Sequence, residues 1–375
     1  MINYYRNLLY DEVRIKEFQK AISTLVNETS TVAEIGFGLG TYSFFCAQRN
    51  ARSVYAIERA DVFDIGKELA RRNNLDSKIT FIKGNSNDIK LPEKVDYIIM
   101  EDYTPMFASD GLFKIISDAR QRFLKPGGKF IPNTFELKFA LVEYPDFHNF
   151  LRAPNWQNNR AFGINWEYTT ELLFNHIHSA TRPGIKLLSD EYLLTTIDLT
   201  TSNDFSFQFS DSVKVQTPGT IHGIIGWWDC RFTPEQHFSN SPLAPANTWG
   251  QMYFPIRYPI PVEKGAVIDT IFKSIHSKYT DTVDYYWKIS GNKAEQEYNT
   301  FISKVGSKDF SKKINPNDAA KISKSGKINR FILNCIDGKQ SYNDIANQVI
   351  KEFPEEFTNQ QEALIKILSV IDENL

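Results

Sequence analysis

The sequence predicts an α/β chain in three parts. A doubly wound, mostly parallel sheet with flanking helices occupies 1–133, a β-barrel-like domain 134–302, and a small helical module 327–375. Three observations predict this. Short apolar runs alternate with helix-length segments up to Thr134, the pattern of a parallel sheet with crossover helices. From there to about residue 290, alternating segments punctuated by turn residues take over. Residues 303–326 (SKVGSKDFSKKINPNDAAKISKSG) are rich in Lys, Ser and Asn and poor in large apolar groups, which reads as a linker.

The elements follow in order. In 11–27, Val13, Phe18, Ala21 and Leu25 share one stripe, so this segment is a helix. TVAEIGFGLG (31–40) is a strand that ends in glycines, with a helix over 41–50. VYAIE (54–58) is a strand closed by an acid, and 60–74 is a helix. KITFIKG (78–84) and VDYIIMED (95–102) are the third and fourth strands. A helix over 111–124, a KPGG turn (125–128) and the strand KFIPN complete the sheet. Seven segments then read as strands: FELKFALVEY, EYLLTTIDL, FSFQF, TIHGIIGWWDCRF, WGQMYFPI, AVIDTIF and TVDYYWKIS. The aromatic, Asn-rich stretch near 145–180 interrupts them as an insertion or arm. In the adjacent pair Trp227 and Trp228, alternation sends one side chain to the core and the other outward. In the last segment, Ser341 and Asp344 form a capping-box-like helix start.

Composition narrows the function classes. With 43 Lys plus Arg against 45 Asp plus Glu, the chain lacks the basic excess of a phosphate-gripping protein, so nucleic acid is not an expected partner. No segment approaches the roughly 18 consecutive apolar residues of a spanning helix, and residues 1–25 lack the apolar run of a signal peptide, so no membrane partner is expected. Cys46, Cys230 and Cys335 lie far apart without a CxxC pair, which fits a reducing cytoplasm. His176 and His178 are spaced for one strand face, but no nearby acid or Cys completes a metal set, so the pair reads as structural and no metal is expected.

The strongest signal is EIGFGLG (34–40). Gly36, Gly38 and Gly40 end a strand and open a helix, where glycine permits tight turning and close approach of a ligand. Glu34 precedes the first glycine by two. Glu58 closes the next strand, placed to accept from ribose hydroxyls, and Ser86 and Asn87 follow the third strand where small polar groups meet an adenine. A nicotinamide-binding sheet is the alternative, but it favours GxGxxG and here the glycines run GxGxG.

These features, with KPGG before a strand, resemble the class I S-adenosylmethionine-dependent methyltransferases and their Rossmann-like domain. Over about residues 5–300 the chain resembles the protein arginine methyltransferases more closely. LLYDEVRIKEF (8–18) matches the segment before that family's cofactor strand, which implies that Arg14 contacts the cofactor carboxylate; a surface pair with Asp11 or Glu17 is the alternative. IIMEDYTPMFASDG (98–111) occupies the place of the family's double-glutamate hairpin. Glu101 matches the first acid and Asp110 the second, one methylene shorter. The resemblance makes both catalytic, pinning and polarising the acceptor. As alternatives, Asp110 is a helix N-cap and Glu101 a loop acid. The family's Thr-His-Trp loop reads Asn247, Thr248, Trp249 here, without its histidine, and Trp249 either lines the substrate pocket or packs between strands. The chain starts too late for the family's usual aromatic N-terminal helix, while the insertion at 145–180 falls where the family carries its dimerisation arm, which implies a homodimer.

FILNCIDGKQSYNDIANQVIKEF (331–353) resembles the PqqD-like, winged-helix-like modules that bind leader segments of precursor peptides, by strand addition at a sheet edge beside an apolar groove. A helical tail is the alternative. Together these resemblances imply S-adenosylmethionine-dependent N-methylation of a peptide, on an arginine side chain. A small-molecule methyltransferase acting on free arginine or another amine, and a catalytically silent peptide-binding protein, are the rivals.

Overall fold

A computed structural model of the chain describes residues 2–152, 161–180, 183–277, 280–291, 294–305 and 322–374. The chain divides into two compact units, Met1–Lys308 and Asp309–Leu375.

In the first unit, α1 (Ile2–Leu9) and α2 (Glu12–Leu25) precede the sheet. α2 starts at Asp11, whose Oδ1 accepts the Arg14 backbone N–H at 3.1 Å. α1 carries Tyr4 and Tyr5 and is an element that the sequence reading did not place. Alternating apolar runs then build β1 (Thr31–Ile35), α3 (Thr41–Gln48), β2 (Ser53–Glu58), α4 (Val62–Arg72), β3 (Ile79–Lys83), β4 (Val95–Met100), α5 (Leu112–Arg122) and β5 (Leu124–Ile131). The five strands pair in parallel in the order β3-β2-β1-β4-β5. The order reverses between β1 and β4, and a crevice opens beyond the carboxyl ends of strands at such a switch point. The KPGG turn is corrected: it lies within β5, opposite a register shift in β4.

Antiparallel strands follow: β6 (Thr134–Glu143), β7 (His178–Ser179), β8 (Lys186–Leu187), β9 (Tyr192–Asp198), β10 (Phe207–Lys214), β11 (Gly219–Arg231), β12 (His237–Ser239), β13 (Met252–Val262), β14 (Val267–Ser277), β15 (Thr282–Gly291) and β16 (Ala294–Asn299). They make one sheet around β7-β13-β11-β6-β8 and another ordered β10-β14-β15-β16. Between the sheets, Phe272 meets Phe139 at 5.6 Å and Phe254 at 4.7 Å, so the barrel-like core is aromatic. Both tryptophans of β11 are buried, Trp227 at 0% and Trp228 at 1% exposure, which corrects the expected outward side chain. They do point to opposite faces, but both faces are covered. The Trp228 side is closed by the loop after β4, whose Thr104 carbonyl accepts its indole N–H at 2.9 Å.

The insertion contributes α6 (Pro145–Arg152) and α7 (Glu167–Phe174), and its residues 153–160 lie outside the described residues. His148 on α6 is buried against Phe174 and His222, and neither ring nitrogen has a hydrogen-bond partner. Burial foremost, then the Arg152 and His222 charges, push its pKa down to about 3. Between that value and the unfolded value of about 6.5, the unfolded chain holds a proton that the folded chain refuses, so stability rises with pH across this window. The expected result is a steep loss of unfolding free energy below about pH 6.5, flattened in His148→Phe. Denaturant titration at several pH values checks it, and an unchanged slope in the variant defeats it.

α8 (Thr300–Val305) covers the start of the expected linker, while 306–321 lie outside the described residues. The second unit packs α9 (Lys324–Cys335), α10 (Tyr342–Glu352) and α11 (Gln360–Asn374) around Ile332, Val349 and Ile367. The Ser341–Asp344 capping box forms. No strand occurs among the described residues of this unit, so the winged-helix reading is corrected to three helices, and the expected sheet edge for strand addition is absent from them.

Candidate active site

Strand register assembles the site. Ile35 of β1 lies beside Ile57 of β2 and Met100 of β4, and Glu58 lies beside Lys83 of β3. The segments that follow those strands therefore stand in one row: Ser86 and Asn87, then Glu58, then the glycine turn, then Glu101. Gly36, Gly38 and Gly40 all have positive φ (77°, 53° and 94°), which is why this turn takes glycine. A side chain at Gly38 would meet the Tyr5 ring at 2.8 Å, so α1 lies against the turn.

Glu58 organises the ribose-facing half. One oxygen accepts Gly38 N–H at 3.1 Å and the other Ala60 N–H at 2.8 Å. A carboxylate offers about four acceptor positions, so two remain for hydroxyls. Further along, Ser86 is buried and the Asn87 side-chain oxygen is buried without a partner. On the other side of the turn, Glu34 is fully enclosed and accepts both Ser43 N–H at 2.7 Å and Ser43 Oγ–H at 2.5 Å. Burial outweighs those bonds and pushes its pKa up to about 8.

A cleft at the end of β1 and β4 is lined by Arg14, Glu34, Gly36, Gly38, Tyr42 and Glu101, among others. Arg14 is 2% exposed; the alternative pair with Asp11 does form, Nε lying 4.0 Å from Asp11 Oδ2, but it is buried and not on the surface. Its Nη1 donates to Glu101 at 2.5 Å, its Nη2 to the Leu8 carbonyl, and its Nε has no hydrogen-bond partner. The guanidinium carbon sits 5.4 Å from the Trp249 ring centre. The other Glu101 oxygen accepts the Tyr42 hydroxyl at 2.8 Å. Burial raises the Glu101 pKa against the opposing pull of Arg14 and Tyr42.

Asp110 stands apart from this set. It is exposed and its Oδ1 accepts the Val283 N–H of β15 at 3.2 Å, while the α5 N-cap is Gly111. Trp249 both faces Arg14 and packs edge-on against Trp228 at 5.0 Å, with its indole N–H on the Tyr103 carbonyl. Sequence reasoning gave no site role to Tyr42, Asp11 and Thr248. Asp11 Oδ2 accepts both Thr248 N–H at 2.7 Å and Thr248 Oγ1–H at 2.8 Å, which ties the loop before β13 to α2. The D-x-x-R spacing signals the cap, but nothing local signals the loop 237 residues away.

The switch-point cleft, the glycine turn and the acid closing β2 make a ligand-binding parallel sheet, here joined to an antiparallel barrel-like domain. Residues 135–290 match the family model described as the arginine methyltransferase oligomerization subdomain. Curated relatives include a rice (Oryza sativa subsp. indica) "Probable histone-arginine methyltransferase CARM1", 28% identical over 318 residues covering 78% of this chain and 59% of the relative. Another is "Protein arginine N-methyltransferase 1" of Dictyostelium discoideum, 26% identical over 272 residues covering 70% and 79%. By these matches the chain is similar to protein arginine methyltransferases, and its residues 135–290 to their oligomerization subdomain. It spans about three fifths of the rice relative's length. Solved structures of the same fold include the Trypanosoma brucei PRMT1 enzyme-prozyme heterotetrameric complex with AdoHcy (TM-score 0.70, 20% identity, 80% of this chain and 98% of that one). Protein arginine methyltransferase 10 of Arabidopsis thaliana is a second (0.68, 22%, 80% and 98%). Among the described residues no helix is long and apolar enough to cross a membrane, and no group of His, Cys, Asp and Glu is arranged for a metal.

Proposed function

We propose that the chain is an S-adenosylmethionine-dependent N-methyltransferase that acts on a peptide, at an arginine side chain of a ribosomally made precursor. The observation that carries this reading is how the cleft already treats a guanidinium. Glu101 pairs with that of Arg14 and Trp249 lies against it. A site that holds its own guanidinium by a carboxylate and an indole has the chemistry to hold an acceptor's.

The residues fit the cofactor. The orphaned Asn87 oxygen suits an exocyclic amine, the spare Glu58 lone pairs suit ribose hydroxyls, and the positive charge of the Arg14 guanidinium in the cleft suits a carboxylate. Bound, S-adenosylmethionine supplies an activated methyl group on a sulfonium. The chain's own task is to aim a nitrogen lone pair at it, exclude water and manage the departing proton. Glu101 fixes the acceptor and draws positive charge away from the attacking nitrogen, and Asp110 supplies the second carboxylate. The oligomerization subdomain match supports a homodimer. The three-helix unit is proposed to hold the leader part of the peptide, which raises the effective concentration of the acceptor at the cleft.

Glu58→Ala is expected to weaken S-adenosylhomocysteine binding at least tenfold, about 1.4 kcal/mol, because it removes both the hydroxyl acceptors and the anchor of the Gly38 amide. Calorimetric titration of wild type and variant reads this. Methyl transfer to arginine peptides follows, with the full chain and with a chain ended at residue 308. Loss of leader-bearing substrates only in the shortened chain supports peptide recognition by the second unit; equal turnover of free arginine by both chains favours the small-molecule rival. A folded wild type that binds no S-adenosylhomocysteine defeats the enzyme reading.

A further inference from the structure

The loop from Glu101 to Gly111 is fixed at its two ends by different parts of the fold. Its start follows β4 and is held by Arg14 and Tyr42. Its end leads into α5, whose first turn has amide groups that need acceptors. Gly111, the N-cap, has no side chain to offer, and no side-chain cap bond comes from it. The acceptors come instead from the turn between β14 and β15. Asp281 receives Gly111 N–H on its backbone carbonyl at 2.8 Å and Lys114 N–H on Oδ2 at 2.9 Å. One turn residue thus caps a helix of the nucleotide-binding sheet from 167 positions away.

The cap is itself held. The Nε2 of His276, on β14, lies 2.6 Å from Asp281 Oδ1, and the His276 ring is wedged against Phe113 of α5 at 4.9 Å and Phe205 at 5.8 Å. Asp281 adopts φ +50°, a left-handed conformation that a non-glycine residue keeps only where its surroundings over-determine it. Two residues on, the Val283 N–H donates to Asp110 Oδ1 at 3.2 Å. Asp281 therefore holds the start of α5, and the beginning of β15 right after it holds the acid beside that helix.

We propose that Asp281 and His276 are positioning residues for Asp110: through the α5 cap and the neighbouring Val283 amide, the β14–β15 turn sets where the second carboxylate stands relative to Glu101. This rests on the reading that Asp110 faces the acceptor. The barrel-like domain then tunes the spacing of two acids that both belong to the nucleotide-binding half.

The test uses the full chain and the variants Asp281→Gly, His276→Phe, Asp110→Asn and the double variant Asp110→Asn/Asp281→Gly. Glycine accepts the +50° backbone and keeps the carbonyl bond to Gly111, so Asp281→Gly removes the side-chain cap without adding strain. Phenylalanine keeps the ring packing of His276 and removes its hydrogen bond. Asp281→Gly is expected to raise the KM for an arginine peptide about tenfold while the Kd for S-adenosylhomocysteine stays at the wild-type value. His276→Phe is expected to move KM in the same direction by less. The double variant is expected to be no worse than Asp110→Asn, because the cap acts through that acid. A merely structural cap lowers melting temperature and shifts both constants together, and its effect adds to that of Asp110→Asn; that result overturns the proposal. An inert Asp110→Asn overturns the reading beneath it, and the two failures are told apart by that single variant.

Discussion

Glu101→Gln is expected to lower methyl transfer to an arginine peptide by about 100-fold, close to 2.7 kcal/mol of transition-state stabilisation. Glutamine keeps the size of the side chain but not its charge or its acceptor pair. One Glu101 oxygen faces Arg14 at 2.5 Å and the other the Tyr42 hydroxyl at 2.8 Å. An amide can satisfy one of these donors. Its oxygen stays on Arg14, which can only donate, and its NH2 group then faces the Tyr42 hydroxyl, which has to turn from donor to acceptor. The acceptor guanidinium also loses the anion that draws charge from its attacking nitrogen. Arg14 is left 2% exposed without that counter-charge, so some loss of stability accompanies the loss of rate. Tyr42→Phe removes one donor and no charge, and is expected to cost about tenfold or less. Single-turnover transfer measured with saturating cofactor separates the chemical step from binding. Wild-type turnover in Glu101→Gln would remove this acid from the mechanism.

The sheet was legible because its signals are local. Apolar runs of five or six residues, glycines where the chain must turn with positive φ, and acids that close strands all lie within one short window. Parallel order then follows from the crossovers, and register carries Glu58, the glycine turn and Glu101 into one row. What the sequence hid depends on contacts between distant segments. The outward tryptophan expected on β11 is covered because the loop after β4 lies on that face, and alternation cannot say that a second layer is there. The KPGG segment has turn chemistry, yet β4 pairs with residues on both sides of it and absorbs it as an irregular stretch of β5. The winged-helix reading of the last segment rested on two helices and a DG turn, which three-helix units share. The Arg14 ion pair with Glu101 joins residues 87 apart, and motif matching treats each of them alone.

Asp11 makes the same point with a larger stability effect. Asp11→Ala is expected to destabilise the first unit by about 3 kcal/mol or more. The residue is 7% exposed and accepts three hydrogen bonds with two oxygens. Oδ1 caps α2 through the Arg14 N–H; Oδ2 takes the Thr248 N–H and hydroxyl. Alanine leaves the first turn of α2 uncapped and strands the Thr248 polar groups, which are partly buried. It also moves Arg14, whose guanidinium stands between Glu101 and the Trp249 ring, so loss of stability and loss of cofactor affinity should arrive together. Asp11→Asn divides the two contributions. Its amide retains one acceptor, so it can keep the cap or the Thr248 pair but not all three bonds, and its expected cost lies between wild type and alanine. Thr248→Val removes only the hydroxyl bond and is expected to cost about 1 kcal/mol. Denaturant unfolding followed alongside S-adenosylhomocysteine titration reads both effects. If Asp11→Ala unfolds like wild type, the α2 cap and the loop before β13 are held by something other than this carboxylate. If it loses stability but binds the cofactor analogue normally, Arg14 does not take its orientation from Asp11, and the coupling between cap and cleft is severed.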